Sequence, residues 1–235
     1  MSEFCLFPYL CHYYTMQNNF ETKFKHFTEE WSRFIFVPYN FLNVAISLFF
    51  LNMAYKIVQY AGTMATKNAS VELTDFFLSN IPRIDTSFIH GTLSFFLFDM
   101  RLLLFLIFIK YTPFTAKALA MIVLLRAAVI NLTNVGMPPD IIPINSDFTF
   151  GGDLFFSGHV ANLFMLSLCF WNIKILRYFF MTLSIIFGVS AILGHYHYTI
   201  DVVSAPFFAY GVFVICKKLF KGDYERTLKT VDKLS

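Results

Sequence analysis

The sequence predicts an all-α fold, an integral membrane six-helix bundle with both termini cytosolic. Three observations predict it. In 235 residues, 57% are hydrophobic and only 14% charged, which is too apolar for an ordinary soluble domain. The charges cluster, leaving six apolar runs that approach the roughly 20 residues needed to cross a bilayer. Such runs must be helical, because a single segment in lipid has to satisfy its own backbone. Finally, Lys and Arg alternate between the connections in the way that orients a bundle.

The elements follow in order. Residues 1–33 are mixed aromatic and charged and read as a cytosolic N-terminal arm. The first apolar run extends from Phe34 to Tyr55, followed by a polar stretch from Lys56 to Asp85. The second, Phe88 to Ile109, contains Asp99 and Arg101, and the third, Ala116 to Val135, contains Arg126. A Pro- and Asp-containing loop from Gly136 to Asp153 precedes the fourth, fifth and sixth runs at Leu154–Ile173, Tyr178–Leu193 and Ile200–Cys216. Residues 34–216 thus form one six-span domain, and residues 217–235 a basic cytosolic tail. The start lacks the pattern of a cleaved secretory signal.

Basic residues sit in the tail, in the fourth-to-fifth connection (Lys174, Arg177), in the second-to-third (Lys110, Lys117) and in the arm. The loop from Gly136 to Asp153 and the turn around His195 have none, while Lys56, Lys67 and Arg83 weaken the contrast without reversing it. Both termini are therefore expected in the cytosol. The net charge of +3 belongs to these loops and gives no reason to expect nucleic acid. None of the four cysteines forms a CxxC pair. Cys169 reads as core, while Cys216, beside Lys217 and Lys218, is open to palmitoylation or to plain packing.

Two short strings carry chemistry. Ser157-Gly158-His159 stands at the start of the fourth helix, where Ser is a good N-cap, Gly allows close approach and free N–H groups attract phosphate. His159 can protonate an oxygen leaving phosphorus; the alternative is an interfacial histidine beside an ordinary cap. In His195-Tyr196-His197-Tyr198-Thr199-Ile200-Asp201, the carboxylate four residues after His197 can hold the ring one helical turn away and stabilise its cation. The alternative is a structural His–Asp pair locking the last helix. His195 reads as boundary packing or a minor contact. Arg126, in mid-span, either steadies a phosphate or pairs with Asp99 to fix packing. Six crossings place both strings on the non-cytosolic side.

The stretch Gly152 to His159, followed by Gly194 to Val203, resembles the sphingomyelin synthase family, a membrane branch of the type 2 phosphatidic acid phosphatase superfamily. The likeness extends to Arg126 with Leu132 through Pro138, and to Asp75 through Ser87, covering about residues 70 to 210. The resemblance makes 34–216 the catalytic domain. It implies transfer of a phospho-alcohol head group, phosphocholine or phosphoethanolamine, from a glycerophospholipid to ceramide or a similar lipid alcohol, releasing diacylglycerol. Carried over, His197 attacks phosphorus or acts as base, Asp201 orients it and His159 serves the leaving group. Ser157, Gly158, Asp153, Arg126 and Tyr196 become candidates for contacts with phosphate or substrate. The expected partners are a phospholipid donor, a ceramide-like acceptor and the membrane itself, with no cofactor and no metal. A homodimer stays open, since no small-xxx-small face argues for one. In eukaryotes the site would face the Golgi lumen or the exoplasmic side, in bacteria the periplasm.

Two departures matter. Phosphatases of the superfamily have a Ser-Arg pair seven residues before the second histidine; here Ser190 and Ala191 stand there, and the upstream Lys…Arg-Pro string is missing. This favours a singly charged diester over a monoester. Tyr196 is neutral where animal members of the family are often acidic, so choline specificity does not carry over; an aromatic ring there suits a quaternary ammonium or an interfacial belt. A lipid phosphatase or phospholipase C-like hydrolase using the same residues, and a non-catalytic lipid-binding protein, are the other readings.

Overall fold

The computed structural model describes residues 28–29, 31–70, 72–132, 135–138 and 154–231. Among these residues the regular structure is helical, with no strand. Helix α1 is Pro38–Lys67, α2 is Ser94–Ile107 (entered through one π-helical turn, Ile89–Leu93) and α3 is Thr112–Val129. Then come α4, Gly158–Cys169; α5, Lys174–Leu193; α6, Thr199–Leu219; and α7, Lys221–Val231.

By backbone contacts the chain divides inside α1 into a unit Met1–Ala45 and a unit Ile46–Ser235. In the first, Ser32 Oγ donates to Thr28 O at 2.7 Å and Asn40 Nδ2 to Phe34 O at 3.0 Å, closing a turn ahead of α1. The second holds all that follows.

Among the described residues, five helical segments are long and apolar enough to cross a membrane: α1, Ile89–Ile107, α3, α5 and α6. The fourth expected span holds only a twelve-residue helix, about 18 Å long against a hydrocarbon core of about 30 Å. Helix α4 starts late because Ser157 gives its N–H to Asp201 O at 3.0 Å instead of to a preceding turn. It packs against α3, α5 and α6, and Met165 and Leu166 are almost wholly buried. Protein covers most of it, the setting in which a short helix at membrane depth is tolerated.

The first helix also corrects its expected limit. It runs on through the stretch from Lys56 that the sequence suggested was loop, because Ala61 and Ala65 bury against Ala127 and Ile130 of the α3 end. At the opposite end of α3, Lys117 Nζ meets Asp223 Oδ2 at 2.6 Å, so the basic tail is in part the helix α7 docked on the bundle. Cys216 is fully buried, and packing, not palmitoylation, accounts for it. Asp99 is exposed, and Arg126 bonds Phe156 O at 2.7 Å, so the expected Asp99–Arg126 packing pair is not formed.

The end of the bundle that carries both histidine strings is closed by long-range bonds. Ile84 N donates to Leu193 O at 2.8 Å, and Thr86 Oγ1 to Ser190 O at 2.8 Å. Tyr198, 2% exposed, receives the Leu73 N–H at 2.9 Å on its hydroxyl and donates to Gly136 O at 3.0 Å. One ring thus pins two loops to the start of α6.

Candidate active site

Both histidine strings meet at this end. His197 lies in the bend before α6, and its Nδ1 is 3.4 Å from Asp201 Oδ2. The pairing forms across the helix N-cap and not, as the spacing suggested, within a helix: Tyr198 is the N-cap and Asp201 the third helical residue. Asp201 Oδ2 also accepts the Tyr198 N–H at 3.0 Å. The carboxylate therefore caps the helix and faces the imidazole, so the catalytic and the structural readings describe the same atoms. His197 and Asp201 are 8% and 2% exposed. The contact is one of proximity: His197 Nδ1 faces the carboxylate at 3.4 Å but is buried without a hydrogen-bond partner among the described residues.

Ser157 is the N-cap of α4 by position, yet its hydroxyl makes no capping bond. That Oγ is buried with no hydrogen-bond partner among the described residues, while the first N–H groups of a helix have no partner inside it. Arg126 lies against this corner. A Cβ on Gly158 would sit 3.1 Å from Arg126 Nε and 3.3 Å from Cζ, so glycine allows the guanidinium to approach. A helix N-terminus, an unpartnered hydroxyl and an arginine together suit an anion. Asp153 lies outside the described residues.

His159 is exposed, and Ser94 Oγ is 3.2 Å from its Nε2. Arg101, in mid-α2, donates to Tyr55 Oη at 2.8 Å and lies over the Phe98 ring at 5.1 Å. Tyr196 is 7% exposed, and burial first, then the Asp85 carboxylate, pushes its hydroxyl above the usual tyrosine range. His195 adopts a left-handed backbone (φ 57°) just past α5, as a helix stop requires, which fits packing.

Sequence reasoning missed three residues here. His90 and Ser94 fell inside an apolar run and were read as span; an imidazole next to Gly91 at the edge of that run was the available signal. Asp75 accepts the Thr199 N–H at 2.6 Å and its hydroxyl at 2.9 Å, capping α6 from 124 residues away. Burial alone would raise the Asp75 carboxyl, but these bonds and those from the Leu78 and Phe77 N–H groups outweigh it and hold it below the usual value. A cleft of about 390 Å³ beside Asp75 and Thr199 is not lined by any of the histidines. Among the described residues, no cluster of His, Cys, Asp or Glu is arranged to hold a metal.

No curated protein and no solved structure matches the chain. Residues 151–218 match the family described as PAP2 superfamily C-terminal, a stretch that contains both histidine strings. Members of that superfamily transfer or hydrolyse phosphoryl groups. The match supports the type 2 phosphatidic acid phosphatase superfamily for this segment, without singling out its sphingomyelin synthase branch.

Proposed function

We propose that the chain is a membrane lipid phosphotransferase of the sphingomyelin synthase type, moving a phospho-alcohol head group from a glycerophospholipid to ceramide or a similar lipid alcohol. The observation that carries the reading is the His197–Asp201 pair at 3.4 Å, joined to the start of α4 by the Ser157–Asp201 backbone bond. An exposed His159 follows two residues after that bond.

In one route, His197 Nε2 attacks the donor phosphorus, the P–O bond to glycerol breaks, and His159 gives its proton to the departing diacylglycerol oxygen. The acceptor hydroxyl then takes the phosphoryl group from His197 and loses its proton to His159. In the other, His197 removes the acceptor's proton as its oxygen attacks phosphorus directly, and His159 again protonates the leaving oxygen. Both need the same two nitrogens, with Asp201 stabilising the His197 cation. Ser157 Oγ, the α4 N–H groups and Arg126 would hold the non-bridging oxygens.

The diester preference is supported by Ala191, a buried alanine where the phosphatases carry an arginine. This reading takes α4 as a sixth, shorter crossing, with both termini in the cytosol and the site on the opposite face; a glycosylation tag at Asn145 that stays unmodified in a eukaryotic host argues against that orientation.

The deciding assay supplies the purified protein with labelled phosphatidylcholine, phosphatidylethanolamine and ceramide. New sphingophospholipid with equal diacylglycerol is expected. Diacylglycerol with free phospho-alcohol would make the protein a hydrolase, and no turnover would leave a lipid-binding protein.

A further inference from the structure

His90 and Ser94 belong to neither histidine string and lie outside the matched segment, yet both touch His159. His90 is 7% exposed and sits in the π-helical turn Ile89–Leu93; Ser94 is the residue after that turn. Single π turns inside helices are wider than their neighbours and recur at functional sites. Here the turn directs two residues, four apart, at one imidazole. Ser94 Oγ lies 3.2 Å from His159 Nε2. The His90 ring stands edge-on to His159, with centroids 5.4 Å apart and planes at 87°. Phe187 stacks on the His159 ring at 5.4 Å and 17°, and also meets His90 edge-on at 5.4 Å. These separations are those of attractive aromatic contacts.

A phenylalanine could fill the place of His90, but the position also carries a polar link. His90 Nε2 is 3.1 Å from Ser190 Oγ, whose hydroxyl donates to Phe187 O at 3.0 Å. That link fixes the His90 ring to α5, the same helix that supplies Phe187. Tyr196 packs on the remaining side at 4.8 Å. His90 is thus held from α5 and from the turn before α6, and in turn fixes the plane of His159, while Ser94 fixes the direction of its Nε2.

We propose that His90 and Ser94 form a third string of the active site, positioning residues that hold the His159 ring, Ser94 through Nε2, so that Nδ1 is the nitrogen left to face the reacting phosphate group. The contact stands on its own geometry; only its effect on turnover rests on the transferase reading. Orientation of this kind acts on the chemical step more than on substrate binding.

The test uses the full chain in detergent micelles and two readouts. The first is acylation of His159 by diethyl pyrocarbonate, followed by peptide mass spectrometry. Releasing Nε2 in Ser94→Ala should speed acylation about fivefold, the scale of one hydrogen bond, and Ser94→Thr should restore the wild-type rate. His90→Gln, which keeps a polar group but loses the ring edge, should also speed it. The second readout is head-group transfer, where Ser94→Ala and His90→Gln should lower kcat about tenfold at nearly constant KM. Acylation at the wild-type rate in both variants overturns the proposal, as does altered acylation with unchanged kcat. Altered acylation in a protein that moves no head group upholds the positioning contact and sinks the transferase reading instead.

Discussion

The backbone N–H of Ser157 donates to the backbone carbonyl of Asp201 at 3.0 Å. Because both atoms are main chain, this bond persists whatever side chains stand at the two positions. It fixes the start of α4 against the start of α6. His159, two residues beyond one end of the bond, and His197, four residues before the other, are therefore held in a common frame.

Asp201 has two roles that substitutions can separate. Asp201→Asn keeps an oxygen to accept the Tyr198 N–H but loses the charge opposite His197. Transfer should fall by about 10²–10⁴ with the thermal midpoint nearly unchanged. Asp201→Ala loses the cap as well and should cost about 1 kcal/mol more in stability. Thermal unfolding beside the transfer assay distinguishes them.

Gly158→Ala places a Cβ 3.1 Å from Arg126 Nε, and the end of the arginine must shift to accommodate it. An alanine in the first turn is no worse for the helix than glycine. The expected outcome is a thermal midpoint at or above wild type, together with a donor KM raised about fivefold, one hydrogen bond's worth. A KM at the wild-type value would mean that Arg126 does not hold the phosphate.

Asp75 makes stability depend on acid. Its carboxyl is held below its ordinary value because the bonds from Thr199, Leu78 and Phe77 outweigh the opposing effect of burial. A group depressed in the folded state stabilises fully above its unfolded value of about 3.9, and that contribution is lost as pH falls through the folded value. Thermal midpoints should therefore decline as pH drops from about 5 to about 3. In Asp75→Asn the decline should be shallower, and the midpoint near neutral pH lower.

The Lys117–Asp223 pair is 2.6 Å long, with side chains only 14% and 10% exposed. Removing one partner from a pair this buried costs about 3 kcal/mol. In Lys117→Ala, α7 should detach and become an early site of limited proteolysis. Joint replacement, Lys117→Met with Asp223→Leu, should recover most of the protection, because neither buried charge of the pair remains, and Arg226, which meets Asp223 Oδ1 at 3.9 Å, is 35% exposed and keeps its water.

The helical, membrane-spanning character was legible because apolar runs report their own environment, residue by residue. The His197–Asp201 pair was legible because four residues separate it and the contact is local. The short α4 was not, since its start depends on Ser157 bonding a residue 44 positions away. Nor was the reach of Asp75 to Thr199, or of Ser94 to His159, which helix packing creates and no local pattern encodes. Ser157 was expected to cap with its hydroxyl; the fold leaves that Oγ buried and unbonded instead, among the groups suited to an anion.

On the proposed function, His197 and its carboxylate move a lipid head group. Single-turnover transfer with head-group-labelled phosphatidylcholine or phosphatidylethanolamine and ceramide tests it most directly, comparing wild type with His197→Ala. Wild type should yield labelled sphingophospholipid and diacylglycerol in equal amounts, and the variant at least about a thousandfold less. Equal product from both proteins would contradict it.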